Sequence, residues 1–336
     1  MRSPDCPSLL AVFSLALAAG PLAAQELIVT SHQPPAVKVF DLRLSGDVAP
    51  ERQVSGASTG LVTLYAAEVD RSRREIFVAD FGGNAVRVFP VAADGDVAPL
   101  REIAGPSTQL NKPIGIALDP LAGELFVRLY NTSKVLVFPL GAQGDIEPSR
   151  VLLGAFAASN GRGIAVDPQR GELLLTEQLD AGAIHVFPIG ASGAVVPVRT
   201  IAGPSTRLVE PSALKLDLTH DELLVIANGE ILTFGRGQSG DVAPTRFFSL
   251  ANALTPPAGV EIDPVPDEIV VSGQSTSGRL YVYPRTTTGA GALPLREIAG
   301  AATGLHTNTM LALLPTPRFA DGFEDTTTDA WSSSQP

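Results

Sequence analysis

The sequence predicts an all-β fold: a six-bladed β-propeller of four-stranded antiparallel blades, its ring closed by the C-terminal strand joining blade 1. Three observations predict it. One unit of roughly 49 residues recurs six times, short apolar runs within it alternate with turn residues, and the chain begins and ends out of phase with the unit.

The clearest repeated element is a hydrophobic strand ending in an aromatic. It reads Val37-Lys-Val-Phe40, Val86-Arg-Val-Phe89, Val135-Leu-Val-Phe138, Ile184-His-Val-Phe187, Ile231-Leu-Thr-Phe234 and Leu280-Tyr-Val-Tyr283. The aromatics fall 49, 49, 49, 47 and 49 residues apart. Before it comes a strand led by Glu26, Glu75, Glu124, Glu172, Glu222 or Glu268, each followed by a short aliphatic run. After it comes a turn of the Gly-Asp-Val-Ala-Pro type, at Gly46, Gly95, Gly144, Gly193, Gly240 and Gly291. An outer strand of the Arg101-Glu-Ile type follows, beginning after prolines such as Pro99, Pro148 and Pro197. Proline there cannot donate to a neighbouring edge, which discourages pairing between molecules. A small-residue strand completes the unit, as in Gly115-Ile-Ala-Leu-Asp119, Gly163 to Asp167, Ala213 to Asp217 and Gly259 to Asp263. The runs are too short, too β-branched and too often broken by Gly or Pro for helices.

The first unit lacks its small-residue inner strand, and the last such strand, Thr309 to Pro315, has no unit after it. Joining the two completes the first blade and removes an unpaired edge.

The chain has 336 residues, 45% of them hydrophobic, with 32 Gly and 28 Pro, which suits many short strands joined by tight turns. Its formal charge of -11 opposes binding to nucleic acid or an anionic membrane surface. Residues 1–24 read as a Sec-type signal peptide: Arg2, an apolar stretch from Leu9 to Ala19, and small residues up to Ala24. The stretch is short for a membrane span. The expected organisation is a signal peptide over 1–24, the propeller over 25–316 and a polar tail over 317–336. The destination would be the periplasm, the cell surface or the outside. Cys6 is the only cysteine and lies in the leader, so no disulfide or thiolate site is expected in the mature chain, which is expected to be a monomer.

Pro113-Ile-Gly-Ile-Ala-Leu-Asp119, Gly123-Glu-Leu-Phe-Val127 and Val78-Ala-Asp80…Asn84-Ala-Val-Arg-Val-Phe89 resemble the NHL-repeat propellers. The likeness runs over nearly all of 26–315, although the fourth inner strand, Ser212-Ala-Leu-Lys-Leu-Asp217, has lost its glycine. The resemblance implies the fold far more than an activity, because such propellers include lyases, lactonase-like enzymes and interaction modules. Phe319-Ala-Asp-Gly-Phe-Glu324, with Trp331 after it, resembles a C-terminal motif of exported Gram-negative proteins; a sorting or attachment signal and a solvated tail are the two readings.

Positions shared by all six units build blades, so a site is expected where units differ, on the end carrying the loops from outer to inner strands and from second to third strands. The candidates there are Tyr65, Asp80, Arg128, Arg162, Glu177, Glu210 and His306. An Arg and a His beside the axis would suit a carboxylate, a phosphate or a polarised carbonyl. The Glu column is not expected to hold metal, and the Gly-Asp turns at Asp47, Asp96, Asp145 and Asp241 are expected to shape hairpins, not to bind calcium. The column Asp70, Asp119, Asp167, Asp217 and Asp263 is expected to cap turns. No metal-ligand histidine spacing, nucleophile elbow or phosphate loop occurs. The expected function is a non-catalytic platform without cofactor, binding a protein, glycan or small molecule. The alternatives are a lyase- or lactonase-type enzyme, in which calcium would meet Glu210, Asp80, Asn84 or Asn228, and a surface-displayed structural protein.

Overall fold

The computed structural model describes residues 25–158, 160–179, 181–251, 256–273, 278–306 and 308–314. The expected signal peptide and tail lie outside them. Six sheets form the ring, each with four antiparallel strands and two of them with a fifth, parallel strand. In chain order of their inner strands, blades 2 to 6 begin with Leu64–Asp70, Pro113–Asp119, Ile164–Asp167, Leu214–Asp217 and Pro257–Asp263. Blade 1 takes its inner strand, Asn308–Leu314, from the far end of the chain. That strand pairs antiparallel with Glu26–Ser31, setting Leu27 opposite Leu313 and Ile28 opposite Ala312. Closure is therefore as the phase of the repeat requires.

The repeated aromatic fills the seam between blades. One apolar cluster occupies each junction, and each contains the aromatic of the following blade: Phe89 between blades 1 and 2, Phe138 between 2 and 3, Phe187 between 3 and 4. Phe234, Tyr283 and Phe40 do the same for the other three. All six side chains are fully buried. At about 25 cal/mol per Å2, such burial supplies most of the attraction between neighbouring sheets. Tyr283 leaves its hydroxyl buried without a hydrogen-bond partner.

The Glu column is explained by the outer strands. Arg52, Arg101, Arg150, Arg199 and Arg296 pair with Glu26, Glu75, Glu124, Glu172 and Glu268 of their own blades at 2.5–2.6 Å, and Arg246 pairs with Glu222. Most of these guanidinium groups also donate to a carbonyl of the next blade, Arg101 to Leu140 O and Arg199 to Gln238 O among them. At the fifth junction Arg285 of blade 6 reaches back to Glu222 instead.

The Gly-Asp turns do more than shape hairpins, which corrects the expectation. The turn glycine forms a parallel bridge with the outer strand of the preceding blade: Gly95 with Val54, Gly144 with Ile103, Gly240 with Ile201 and Gly46 with Ile298. The aspartate beside it then accepts a backbone N–H from that blade's next loop, at 2.7 Å from Ser58, Ser107, Ser205 and Ala302. A Cβ on Gly56, Gly105, Gly203 or Gly300 would stand 2.3–2.5 Å from the aspartate Cγ, and their φ of 124–136° favours glycine besides. Two junctions lack the aspartate. There Gly193–Val195 pairs with Arg150–Gly154, and Gly289–Ala292 with Arg246–Leu250, as parallel strands.

The column that ends the inner strands caps turns as expected, Asp119 accepting from Leu121 and Ala122 and Asp217 from Thr219 and His220. Asp263 differs because Gln25, at the start of blade 1, donates to its Oδ1 at 2.8 Å while Oδ2 has no partner. Burial, with a further contribution from Glu268, pushes this carboxyl up to about 6.

Stopping the chain after Leu305 removes the strand that completes blade 1, and the product is expected to aggregate; a soluble truncation with a cooperative melt would refute ring closure as a requirement. Because folded Asp263 holds its proton more tightly than the unfolded chain does, its stabilising contribution is present below the ordinary carboxylate range and lost as pH rises through about 6. Asp263→Asn should therefore exceed the unmodified protein in stability at pH 8 by on the order of 1–2 kcal/mol and match it near pH 4, as read by urea unfolding.

Candidate functional site

On the loop end, the seven candidates separate into three groups. Asp80 belongs to the scaffold: its carboxylate accepts from Val62, Thr63 and Gly83 N–H and from Arg87, and it is wholly buried. The Asn84 Oδ1 likewise accepts from Lys112 N–H. Glu210 and His306 are exposed, and neither side chain has a hydrogen-bond partner among the described residues. The calcium arrangement weighed for an enzyme thus loses Asp80 and Asn84 to structural bonds. Among the described residues no group of three or more His, Cys, Asp or Glu side chains could hold a metal ion.

Of the remaining four, Arg162 and Glu177 belong to blade 4, Arg128 reaches it from blade 3, and Tyr65 of blade 2 acts on the Arg162 charge. Arg162 opens the inner edge of blade 4, where Gly115 admits the close approach of the Arg162 carbonyl. Its Nη2 lies 3.4 Å from Ala258 O of blade 6, so the side chain reaches across to another inner strand. Burial holds its pKa down, with Tyr65 of blade 2 acting in the opposite sense. Arg128 sits on the second strand of blade 3, Glu124–Leu129, and enters the seam with blade 4. Its Nη1 donates to Gly163 O at 2.8 Å and to the Thr176 hydroxyl at 3.3 Å. The Nε and Nη2 atoms have no partner although the residue is only 1% exposed. Burial depresses its pKa to about 9, and Glu177 opposes that shift. Glu177 gives its own oxygens elsewhere, to Ala157 N–H and to His185, both at 2.9 Å. Phe156 lies over the Arg128 guanidinium and stacks on the His185 ring at 4.9 Å.

Sequence reasoning missed the aromatic strip that joins this region to blades 1 to 3. His32, Tyr65, Phe81 and Tyr130 follow one another with centroid separations of 4.6, 4.7 and 5.4 Å. The Lys112 ammonium stands over both Phe81 and Tyr130. The His32 Nδ1–H donates to Leu64 O, 3.0 Å away, and burial and Arg162 lower its pKa against that bond. The signal available beforehand was the departure of Tyr65 from the residues at matching positions; rings at Phe81 and Tyr130 show no such departure on their own.

Three cations therefore meet this end of an acidic protein, and none of Arg128, Arg162 and Lys112 forms an ion pair among the described residues. Exposed Lys112 costs nothing by standing alone, but a buried guanidinium with two unused donors is a burden on the fold.

No family model matches the chain, and no curated protein matches it. Solved structures do. A chain in the crystal structure of a nidogen/laminin complex superposes with a TM-score of 0.62 at 14% identity, covering 86% of this chain and 98% of that one. A protein of unknown function from Bacteroides caccae gives a TM-score of 0.62 at 9% identity, covering 87% and 99%. These likenesses establish the fold.

Arg128→Met keeps the apolar stem and removes the unpaired donors. It should raise the unfolding free energy in the ligand-free protein by about 1 kcal/mol, measured by denaturant titration. A loss of stability would mean the guanidinium is fully used by the fold.

Proposed function

We propose that this chain is an exported, non-catalytic binding propeller whose ligand is anionic and docks on the loop end, over Tyr65, Arg162 and the seam that holds Arg128. The observation that carries the reading is the fully buried Arg128 guanidinium, with Nε and Nη2 unpartnered, and the half-buried Arg162 guanidinium, neither of them in an ion pair among the described residues. Proteins bury arginine at that cost where a bidentate acceptor, a carboxylate or phosphate, completes it. The adjoining rings supply flat apolar faces, so an acidic oligosaccharide, with carboxylates beside stackable sugar faces, is the working ligand class. The NHL-like repeats and the likeness to a propeller crystallised within a nidogen/laminin complex support a binding role in general and no particular partner. Residues 1–24 and the -11 charge fit an exported protein that stays off anionic surfaces except through this local cationic site.

Calorimetric titration with oligogalacturonate, against neutral maltohexaose, tests the proposal. The acidic probe should bind and the neutral one should not. Arg162→Met and Tyr65→Ala should each weaken binding by about tenfold or more, and the salt dependence should fall in Arg162→Met. Equal binding of both probes, or full affinity in both variants, would overturn it.

A further inference from the structure

The opposite end of the axis carries a second feature that the loop-end site does not use. A cavity of about 430 Å3 opens among the turns that join inner to second strands. Its walls come from the inner strands of blades 3, 4 and 5, with Leu118, Ile164, Val166, Leu216 and Leu218 among them. Its polar end is Glu68 of blade 2 and Lys215 of blade 5. The Lys215 ammonium stands 3.0 Å from Glu68 Oε1 and 2.8 Å from Glu261 Oε2 of blade 6, so one cation serves two carboxylates. Glu261 is 97% buried by this arrangement and directs its other oxygen to Ile262 N–H. Glu68 Oε2 has no hydrogen bond among the described residues. At the rim, Asp70 is neutralised by Arg73 at 2.7 Å, and Arg71 is exposed to solvent.

We propose that this cavity is a second binding site, independent of the loop-end reading, and that it takes a small organic ammonium: a primary amine on a compact apolar body. The volume and apolar walls are those of a small-ligand pocket. Glu68 and Glu261 share one ammonium, Arg71 adding only a weaker attraction to Glu68 from the exposed rim, and an alkylammonium at Glu68 Oε2 gives that carboxylate a close cation of its own while its body covers the leucine and isoleucine wall. Three other occupants fit less well. A small carboxylate approaching Lys215 would meet Glu68 and Glu261 at the same distance. A carbonyl compound would need Lys215 as a neutral nucleophile, yet its two carboxylates hold it charged despite burial, with its pKa raised. A neutral ligand adds no attraction for Glu68, whose pKa burial and Glu261 raise against the pull of Lys215 and Arg71. Placement also favours a ligand function over a structural staple, since Glu68 and Lys215 face an open cavity rather than packed side chains.

A set of probes that differ only in charge tests this: cyclohexylmethylamine, cyclohexylmethanol and cyclohexanecarboxylate, titrated into the full protein at pH 7.5 and followed by ligand-observed NMR. The amine should bind at least about tenfold tighter than the alcohol, and the carboxylate should not bind. Glu68→Gln should remove the preference for the amine, whereas Arg162→Met at the other end should leave it unchanged. Ala165→Phe, which adds bulk to the wall, should abolish binding of both the amine and the alcohol. Should Glu68→Gln fail to give the folded protein's melting curve, the three probes on the unmodified chain decide alone. Equal or better binding of the carboxylate, no difference between amine and alcohol, or a preference surviving Glu68→Gln would overturn the proposal.

Discussion

Everything in this molecule depends on apolar side chains from one sheet being covered by the next. A four-stranded sheet of this size exposes two faces and can stand only when both are occupied. Each repeat answers with a buried aromatic set against its predecessor, and six repetitions leave no face over once Asn308–Leu314 has joined blade 1. The ionic contacts are arranged around that packing. Arg–Glu pairs inside blades, with guanidinium groups extended to the next blade's carbonyls, tie the outer rim where apolar cover is thinnest. Individually such half-exposed pairs contribute little; as a ring they fix the register of each blade against its neighbour.

The four Gly-Asp clamps and the two junctions without them divide the circumference. Where Asp96, Asp145, Asp241 or Asp47 holds the neighbouring loop, the path from outer to inner strand is short, capped and alike from blade to blade. At the junctions after blades 3 and 5 the clamp is replaced by parallel main-chain pairing, and the loop beyond is free to diverge. Phe156, Gly161 and Arg162 belong to the first of these loops. Part of the proposed site, Arg162 and the Phe156 that covers Arg128, thus comes from a loop where the repeat has stopped repeating, while Tyr65 follows a clamped one.

Much of the architecture could be read from the chain. Period, turn chemistry and the missing first strand gave blade number, strand order and closure, because each is a property of adjacent residues. What escaped reading were partnerships across blades. Nothing near Ser107 announces that Asp145, 38 residues on, will accept its N–H. Nothing near Glu68 points to Lys215, 147 residues away. The Glu column read as blade-building, but its arginine partners were seen only as part of the outer-strand motif. The axial cavity described here opens at the end opposite to the one expected, since its wall is made by inner-strand residues that read individually as core. Tyr65 and Arg162 were found by their departure from the matching positions, and Arg128 and Glu177 by their place at second-strand ends on the loop face; Asp80, chosen on the same ground, is a loop cap.

The borrowed strand of blade 1 also has a temporal meaning. Residues 308–314 leave the ribosome after every other part of the ring, so Glu26–Ser31, made first, must wait for a partner made last. Until then the nascent chain holds an open row of blades with one sheet incomplete and one aromatic seam uncovered. The order of synthesis itself thus postpones the contact that makes the ring rigid.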